Sequence, residues 1–269
     1  MDLGLFRTTF LALLQGFTEF LPISSSGHIL LPKELLGWPD QGLIFDVAVH
    51  VGSLLAVLLY FRKDIATLFR AWLRSCLKQE HSSDSRLAWF VILATIPAGL
   101  VGFLLNDFVA QYSRSMLVIG ITSIVFAALL YLSEQIGRQE LDLKKLTLKT
   151  SLIIGFFQMM ALIPGTSRSG ATMTAALFCG LTRQAAAKFS FLLAIPIIAA
   201  GGLLEGIEMW QVGTAGQWGD LLYAMVVSAL MSYLCIHYFL QLIERVGFLP
   251  FVIYRVVMGV MLIAVYYLA

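Results

Sequence analysis

The sequence predicts an all-α integral membrane protein with about six transmembrane helices and two re-entrant helical hairpins, arranged as an inverted-topology repeat. Of its 269 residues, 59% are hydrophobic and only 13% are charged, whereas soluble domains carry roughly 25% charged residues. The charges fall in short clusters that separate long apolar runs. Two of these runs are interrupted by proline, serine and glycine, and the interruptions predict the hairpins.

Six apolar runs are long enough to be transmembrane helices. A run of about 18 or more apolar residues crosses a hydrocarbon core roughly 30 Å thick. The spans are predicted at about 44–61, 87–105, 116–132, 187–204, 220–243 and 249–268.

Two further apolar stretches, at about 3–36 and 150–180, contain residues that break helices. The first includes PISSSGH from Pro22 to His28, and the second includes PGTSRSG from Pro164 to Gly170. Lipid offers no partner to the backbone groups that a break leaves free, so broken helices occur in membranes only where protein or a wet cavity surrounds them. We therefore predict that each stretch enters the membrane and turns back.

The distribution of basic residues predicts the orientation in the membrane. Cytoplasmic loops are enriched in Lys and Arg, and the segments 62–86 and 133–149 carry six and four of these residues. The segment 205–219 carries none and 106–115 carries only Arg114, so both are predicted to lie outside. The later basic residues lie on the cytoplasmic side only if the second stretch enters the membrane and turns back. This arrangement places the two hairpins on opposite faces of the membrane.

Opposed broken helices are typical of an inverted-topology repeat, whose site lies where the breaks meet. We expect one membrane domain, 1–269, with repeats at about 1–110 and 148–269. The same topology places both termini, and the opening of the site, on the periplasmic or outer side of the membrane.

Composition argues against several other classes of protein. A net charge of +2 without a basic patch argues against nucleic acid as a partner. Three widely separated cysteines lack the spacing of a zinc site or a disulfide framework. An N-terminus whose first charge is Asp2, and whose apolar run is interrupted by Gln15 and Glu19, is not expected to be a cleavable signal.

The first polar cluster combines a carboxylate, hydroxyls and an imidazole inside an apolar stretch. Gln15 and Glu19 are four residues apart and share one helix face. A carboxylate at this depth needs a partner or a function, and an imidazole transfers protons near neutral pH. The cluster therefore supplies a carboxylate, Glu19, a base, His28, and a nucleophile from one of its three serines. Phosphate contacts are expected from its other members, which are Gln15, Gly27 and the remaining serines of Ser24, Ser25 and Ser26. The structural alternative is that the serines cap a helix and Glu19 bonds to a neighbour.

The second cluster surrounds Arg168 with small residues at the start of an apolar helix. A guanidinium group binds phosphate with two parallel hydrogen bonds, and small neighbours let backbone amides approach the same anion. We predict that Arg168 is catalytic and that its neighbours bind phosphate: Thr166, Ser167, Ser169, Gly170 and Thr172. The structural alternative is that Arg168 neutralises Glu19.

Three further residues have weaker signals. Asp46 and His50, four apart at the start of a span, are interpreted either as a local contact or as part of a cavity wall. Arg255 lies inside the last span, where its charge predicts a buried carboxylate partner or a substrate contact.

Both clusters resemble the two signatures of the bacterial undecaprenyl-diphosphate phosphatase family, also called the bacitracin-resistance protein family. The matching segments are QGFTEFLPISSSGH and PGTSRSGAT, and FDVAVHVGSLLAVLLYFRKDI and FLPFVIYRVVMG are similar to that family as well. The resemblance implies a plasma-membrane enzyme that removes one phosphate from undecaprenyl diphosphate, recycles the carrier for cell-wall synthesis and confers bacitracin resistance. It also implies a divalent cation, Mg²⁺ or Ca²⁺, for which Glu19 is the candidate ligand.

We expect Ser25 to attack the terminal phosphorus, Glu19 to activate it, and Arg168 to hold the phosphate oxygens. His28 would protonate the leaving monophosphate and later activate water, or alternatively would itself be the nucleophile. The rival function is a transporter of a polyprenyl-phosphate lipid that uses the same site. The expected partners are undecaprenyl diphosphate, the bilayer and, as a candidate, a second copy of the chain in a homodimer.

Overall fold

The spanning helices predicted from hydropathy are all present. The structure, a computed structural model, describes residues 4–105, 115–212 and 218–268, and within these ranges it contains helices and no strand. Six helices are long and apolar enough to cross a membrane. They are α3 (Leu43–Tyr60), α5 (Ser83–Leu104), α6 (Met116–Ile136), α9 (Arg183–Val212), α10 (Trp218–Val246) and α11 (Leu249–Leu268).

The remaining helices are shorter. They are α1 (Gly4–Thr18), α2 (Ser25–Leu36), α4 (Arg62–Lys78), α7 (Leu148–Met160) and α8 (Arg168–Phe178), with one 3₁₀ turn at Leu143–Lys145. Large apolar side chains are exposed along the spanning helices, including Ile96, Ile121 and Leu230. In a protein with so little charge, such a surface is suited to contact with lipid. The outer connections were predicted at 106–115 and 205–219. Residues 106–114 and 213–217 lie outside the described residues, and 205–212 are not a loop but continue helix α9.

The segment predicted as a basic loop at 62–86 is mainly a helix. Residues Arg62–Lys78 form α4, whose basic side chains alternate at helical spacing with exposed apolar ones such as Phe69 and Leu77. This mixture is typical of a helix that lies in the interface between lipid and water. The next helix begins earlier than predicted, because Ser82 and Ser85 form a reciprocal capping box at its start.

The two proline- and serine-rich segments break the chain in the same way. The first break, residues 19–24, joins α1 to α2, and the second break, residues 161–167, joins α7 to α8. Each ends in a serine with a positive φ: Ser24 has φ 72° and ψ 92°, and Ser167 has φ 69° and ψ 114°. A residue with a side chain is strained in this conformation. In each case its hydroxyl bonds that of the serine two positions later, Ser26 at 3.2 Å and Ser169 at 3.1 Å.

Small residues let the broken helices lie against spanning helices. Helix α1 packs on α10 and α7 packs on α5. A side chain at Gly16 would overlap the backbone of Ser228 in α10, and one at Gly155 would overlap the backbone of Ala94 in α5. Close contact between backbones through small residues is a common way for helices to associate in membranes.

We expect Gly155→Val to destabilise the protein, because its side chain would overlap the Ala94 backbone, which cannot move without displacing α5. Gly99→Val is the matched control, since a side chain there meets no atom within 4 Å. Thermal melting of both variants in detergent measures the effect. The apparent melting temperature should fall by about 5 °C or more for Gly155→Val alone. Equal melting temperatures for the two variants would contradict this close packing.

Candidate active site

The two breaks meet and are joined by side chains from both clusters. Arg168, the first residue of α8, donates from Nη2 to Glu19 Oε1 at 2.9 Å. Ser169 Oγ donates to the carbonyl oxygen of Leu21 at 2.7 Å. Residues that are about 150 positions apart in the chain therefore form one polar site, as the two clusters predicted.

Arg255 holds the backbones of both breaks. Its side chain is fully buried, at 0% exposure, and Nη1 donates to Pro22 O at 3.3 Å. Nη2 donates to Gly165 O at 3.0 Å and to Thr166 O at 2.9 Å. Among the described residues no carboxylate pairs with this arginine, because its guanidinium group bonds to carbonyl groups of the two breaks instead. The alternative, a contact between Arg255 and the substrate, stays a prediction.

Glu19 is the centre of the hydrogen-bonding network. Its side chain is 7% exposed, and Oε2 accepts from Gln15 Nε2 at 2.9 Å and from Ser25 Oγ at 2.8 Å. His50 Nε2 lies 3.7 Å from the same oxygen. A serine hydroxyl that donates to a buried carboxylate has the geometry of a nucleophile beside its base.

Arg168 has contacts that fit both of its predicted roles. It neutralises Glu19, and it also donates from Nη1 to Ser190 O at 3.3 Å. Its guanidinium carbon lies 5.8 Å from the centre of the Phe20 ring. The side chain is 14% exposed, and a guanidinium group has five N–H donors. The observed bonds therefore leave donor capacity for an anion.

His28 lies apart from the Glu19 network. Its side chain is buried, and Nδ1 donates to the carbonyl oxygen of Ser24 at 2.7 Å. Nε2 is hydrogen-bonded to the hydroxyl of Tyr254 in α11 at 2.5 Å. His28 follows Ser25 by three positions on α2, so the helix places the two side chains on the same side.

The hydroxyls predicted to bind phosphate differ in their surroundings. Ser26 is exposed, whereas the predicted residues of the second cluster other than Arg168 are buried. Thr172 Oγ1 donates to Ser190 Oγ at 2.7 Å, and Gly170 N donates to Ser167 Oγ at 3.1 Å. These bonds hold the second break in place. Ser24 and Gly27 lie in the turn that begins α2.

A polar cavity of about 220 Å³ adjoins the Glu19 network. Its polar lining residues are Ser26, Lys33, Asp40, Gln41, Asp46 and His50. His50 belongs to both regions, because its Nε2 lies near Glu19 while its Nδ1 donates to Asp46 O at 2.7 Å. The structure therefore shows both predicted features of Asp46 and His50, since the two residues form a local contact and both line the cavity.

Hard oxygen donors suitable for a divalent cation are present at Glu19. Gln15 Oε1 is buried and has no hydrogen-bond partner among the described residues, and its amide nitrogen is bonded to Glu19. The described residues contain no cluster of three or more His, Cys, Asp or Glu side chains. Mg²⁺ commonly binds through one or two carboxylates together with water and substrate phosphates, so one carboxylate and one amide oxygen fit such a site.

Sequence reasoning missed the roles of Tyr254 and Ser190 and the place of His50. Tyr254 precedes an arginine inside an apolar span, and that arginine was the available signal for a polar site on this helix. Ser190 contributes a carbonyl and a hydroxyl from α9. Nothing in the local sequence distinguishes it from a serine that packs between helices.

We expect Arg255→Met to destabilise the protein strongly, because Pro22 O and Thr166 O would lose their donor and each such loss costs about 1–3 kcal/mol. Gly165 O would lose one of two donors, since Ser123 Oγ also bonds to it at 3.3 Å. Arg245→Met is the matched control, since Arg245 is exposed near the end of α10. The apparent melting temperature in detergent should fall by at least about 5 °C for Arg255→Met only. A wild-type melting curve for Arg255→Met would show that the breaks do not need this support.

Comparison with known proteins identifies relatives over nearly the whole chain. Residues 8–261 match the family model described as bacitracin resistance protein BacA. A protein named undecaprenyl-diphosphatase from Hahella chejuensis is 54% identical over 96% of this chain and 97% of its own length. One with the same name from Alteromonas mediterranea is 52% identical over the same shares. One named undecaprenyl-diphosphatase 1 from Pseudoalteromonas translucida is 53% identical over 94% and 95%. The chain therefore belongs to the bacitracin resistance protein BacA family.

Proposed function

We propose that this protein is a membrane phosphatase that hydrolyses undecaprenyl diphosphate to undecaprenyl phosphate and inorganic phosphate. The names of its relatives support the substrate and the reaction. The observation that carries the proposal is the 2.8 Å hydrogen bond from Ser25 Oγ to the buried Glu19 carboxylate, with Arg168 on the other carboxylate oxygen. This reaction recycles the lipid carrier for cell-wall synthesis and confers bacitracin resistance.

Arg168 and the starts of α2 and α8 form the proposed phosphate site. Both helices begin directly after the breaks. The N-terminus of a helix offers unpaired N–H groups and a partial positive charge to an anion. The proposed phosphate contacts are Gln15, Ser24, Ser26, Gly27, Thr166, Ser167, Ser169, Gly170 and Thr172. Ser26 is the most accessible of the first cluster, and it also lines the polar cavity.

In the first proposed step, Ser25 Oγ forms a bond to the terminal phosphorus while the bond from phosphorus to the bridging oxygen breaks. Glu19 takes the proton of Ser25, and His28 gives a proton to the departing lipid monophosphate. In the second step, water attacks the phosphoserine and gives its proton to His28, and Ser25 recovers its proton from Glu19. Arg168 stabilises the phosphate charge in both steps.

A divalent cation, Mg²⁺ or Ca²⁺, is proposed to bind at Glu19 and Gln15 Oε1 together with the substrate. When bound, it would neutralise part of the charge of the diphosphate. Two contacts that the proposed steps use are already present as hydrogen bonds, from Ser25 to Glu19 and from Arg168 to Glu19.

The proposed membrane arrangement has two re-entrant hairpins in an inverted repeat. The matching φ values of Ser24 and Ser167 and the matching serine pairs support two related halves. The bacterial relatives support a location in the bacterial inner membrane. The positive-inside pattern supports an orientation with both termini and the site opening on the periplasmic side. A homodimer remains a prediction.

A lipid transporter is the second candidate function, because breaks that meet between two matching hairpins are a common transporter design. The same phosphate contacts would then bind a polyprenyl-phosphate headgroup without cleaving it. Release of phosphate by purified protein separates the two functions.

Purified wild-type protein should release inorganic phosphate from undecaprenyl diphosphate in detergent. Glu19→Ala, Ser25→Ala, His28→Ala and Arg168→Ala should each lower the rate by about 10² or more, because each removes a group that acts on the reacting phosphate. Asp220→Ala, at the start of α10, is the control and should keep wild-type activity. A chelator should reduce the wild-type rate, and added Mg²⁺ or Ca²⁺ should restore it.

No phosphate release by folded wild-type protein with divalent cation supplied would reject the phosphatase. Movement of the lipid across vesicle membranes by the same preparation would then favour the transporter.

Rapid acid quenching during turnover should trap phosphate on Ser25. The Ser25 hydroxyl already donates to Glu19, whereas both ring nitrogens of His28 are hydrogen-bonded to other groups. Mass spectrometry of the quenched protein, with Ser26→Ala as a variant that keeps Ser25, measures the site of attachment. Because phosphohistidine is labile in acid, a parallel sample is quenched in base, and phosphate on His28 in that sample would make the histidine the nucleophile.

A further inference from the structure

Tyr254 is the residue of α11 that contacts His28, one of the catalytic residues in the proposed reaction. Its hydroxyl is 2.5 Å from His28 Nε2, and the two rings are nearly parallel, at 9°, with centroids 5.5 Å apart. Arg255, the next residue, is bonded to carbonyls of both breaks. Because Arg255 is bonded to both breaks, it also fixes the position of its neighbour Tyr254 relative to α2.

Both nitrogens of His28 are engaged. The Ser24 carbonyl can only accept, so Nδ1 carries a proton and donates it. Nε2 is left as the nitrogen that gains and loses a proton, and it faces the Tyr254 hydroxyl. A hydroxyl can donate to neutral imidazole and can accept from imidazolium, so this contact persists in both protonation states of His28.

Exposure distinguishes the two members of this pair. His28 is 3% exposed, whereas Tyr254 is 44% exposed. The Tyr254 side chain is therefore accessible from outside the helix bundle, the side from which a lipid substrate arrives, whereas the imidazole is not.

We propose that the Tyr254 hydroxyl is the group through which His28 exchanges its proton in the hydrolysis proposed above. In the first step the phenol gives its proton to the leaving oxygen and receives one from His28. In the second step it receives a proton from water and gives its own to His28. The phenol is unchanged after each step, and the inference rests on the proposed phosphatase function.

The test compares kcat and KM for phosphate release by wild type, Tyr254→Phe and Tyr266→Phe, with the melting temperature of each. Phenylalanine keeps the ring beside His28 and removes only the hydroxyl. Tyr266 is the matched control, because it lies on the same helix and is 46% exposed. Tyr254→Phe should lower kcat about tenfold with KM and melting temperature unchanged, a part of the 10²–10⁴ typical of acid–base catalysis. Tyr266→Phe should match wild type.

A double-mutant comparison separates the relay from a structural role. If Tyr254 acts only through His28, Tyr254→Phe should not reduce further the residual rate of His28→Ala, measured with excess protein. A further tenfold loss in that background, an effect on KM alone, or wild-type kcat for Tyr254→Phe would each overturn the relay. An inactive wild type would instead reject the phosphatase function itself.

Discussion

The site depends on the hydrogen bonds that Arg255 donates to the carbonyls of both breaks. Pro22, Gly165 and Thr166 lie where the helices are interrupted, and a carbonyl without a donor is costly in an apolar surrounding. One guanidinium group has enough donors, in a rigid plane, to serve three carbonyls. Arg255 thereby joins the two halves of the chain close to the strained residues of each break, Ser24 and Ser167.

The ion pair between Glu19 and Arg168 follows from the same arrangement. Burying either charge alone would cost free energy, and each charge is compensated by the opposite charge of the other residue. In the proposed reaction a bound phosphate takes over the charge compensation of Arg168, while Glu19 keeps its bond to Ser25. A resting ion pair thus keeps the proposed nucleophile, its proposed base and the proposed anion-binding group in position before substrate arrives.

Local patterns were sufficient to predict most of the fold. The six spans could be predicted because a helix in lipid satisfies its own backbone and needs only an apolar run of sufficient length. The breaks could be predicted because proline, glycine and serine interrupt such a run. Helix α4 was missed, because its basic residues determine topology whether or not they are helical. The pairing of Glu19 with Arg168 was anticipated only as an alternative role for the arginine.

The sequence by itself determined the class of protein, the number of spans and the two polar clusters, since these depend on composition and on contacts close in the chain. Only the tertiary structure decided which groups meet across the breaks. Arg255 was expected to contact a carboxylate or the substrate, and the structure pairs it with three carbonyl groups, whose oriented dipoles can solvate a guanidinium group. Tyr254 and His50 reach His28 and Glu19 from other helices. Such contacts depend on helix packing, which involves residues more than 200 positions apart in the case of Tyr254 and His28.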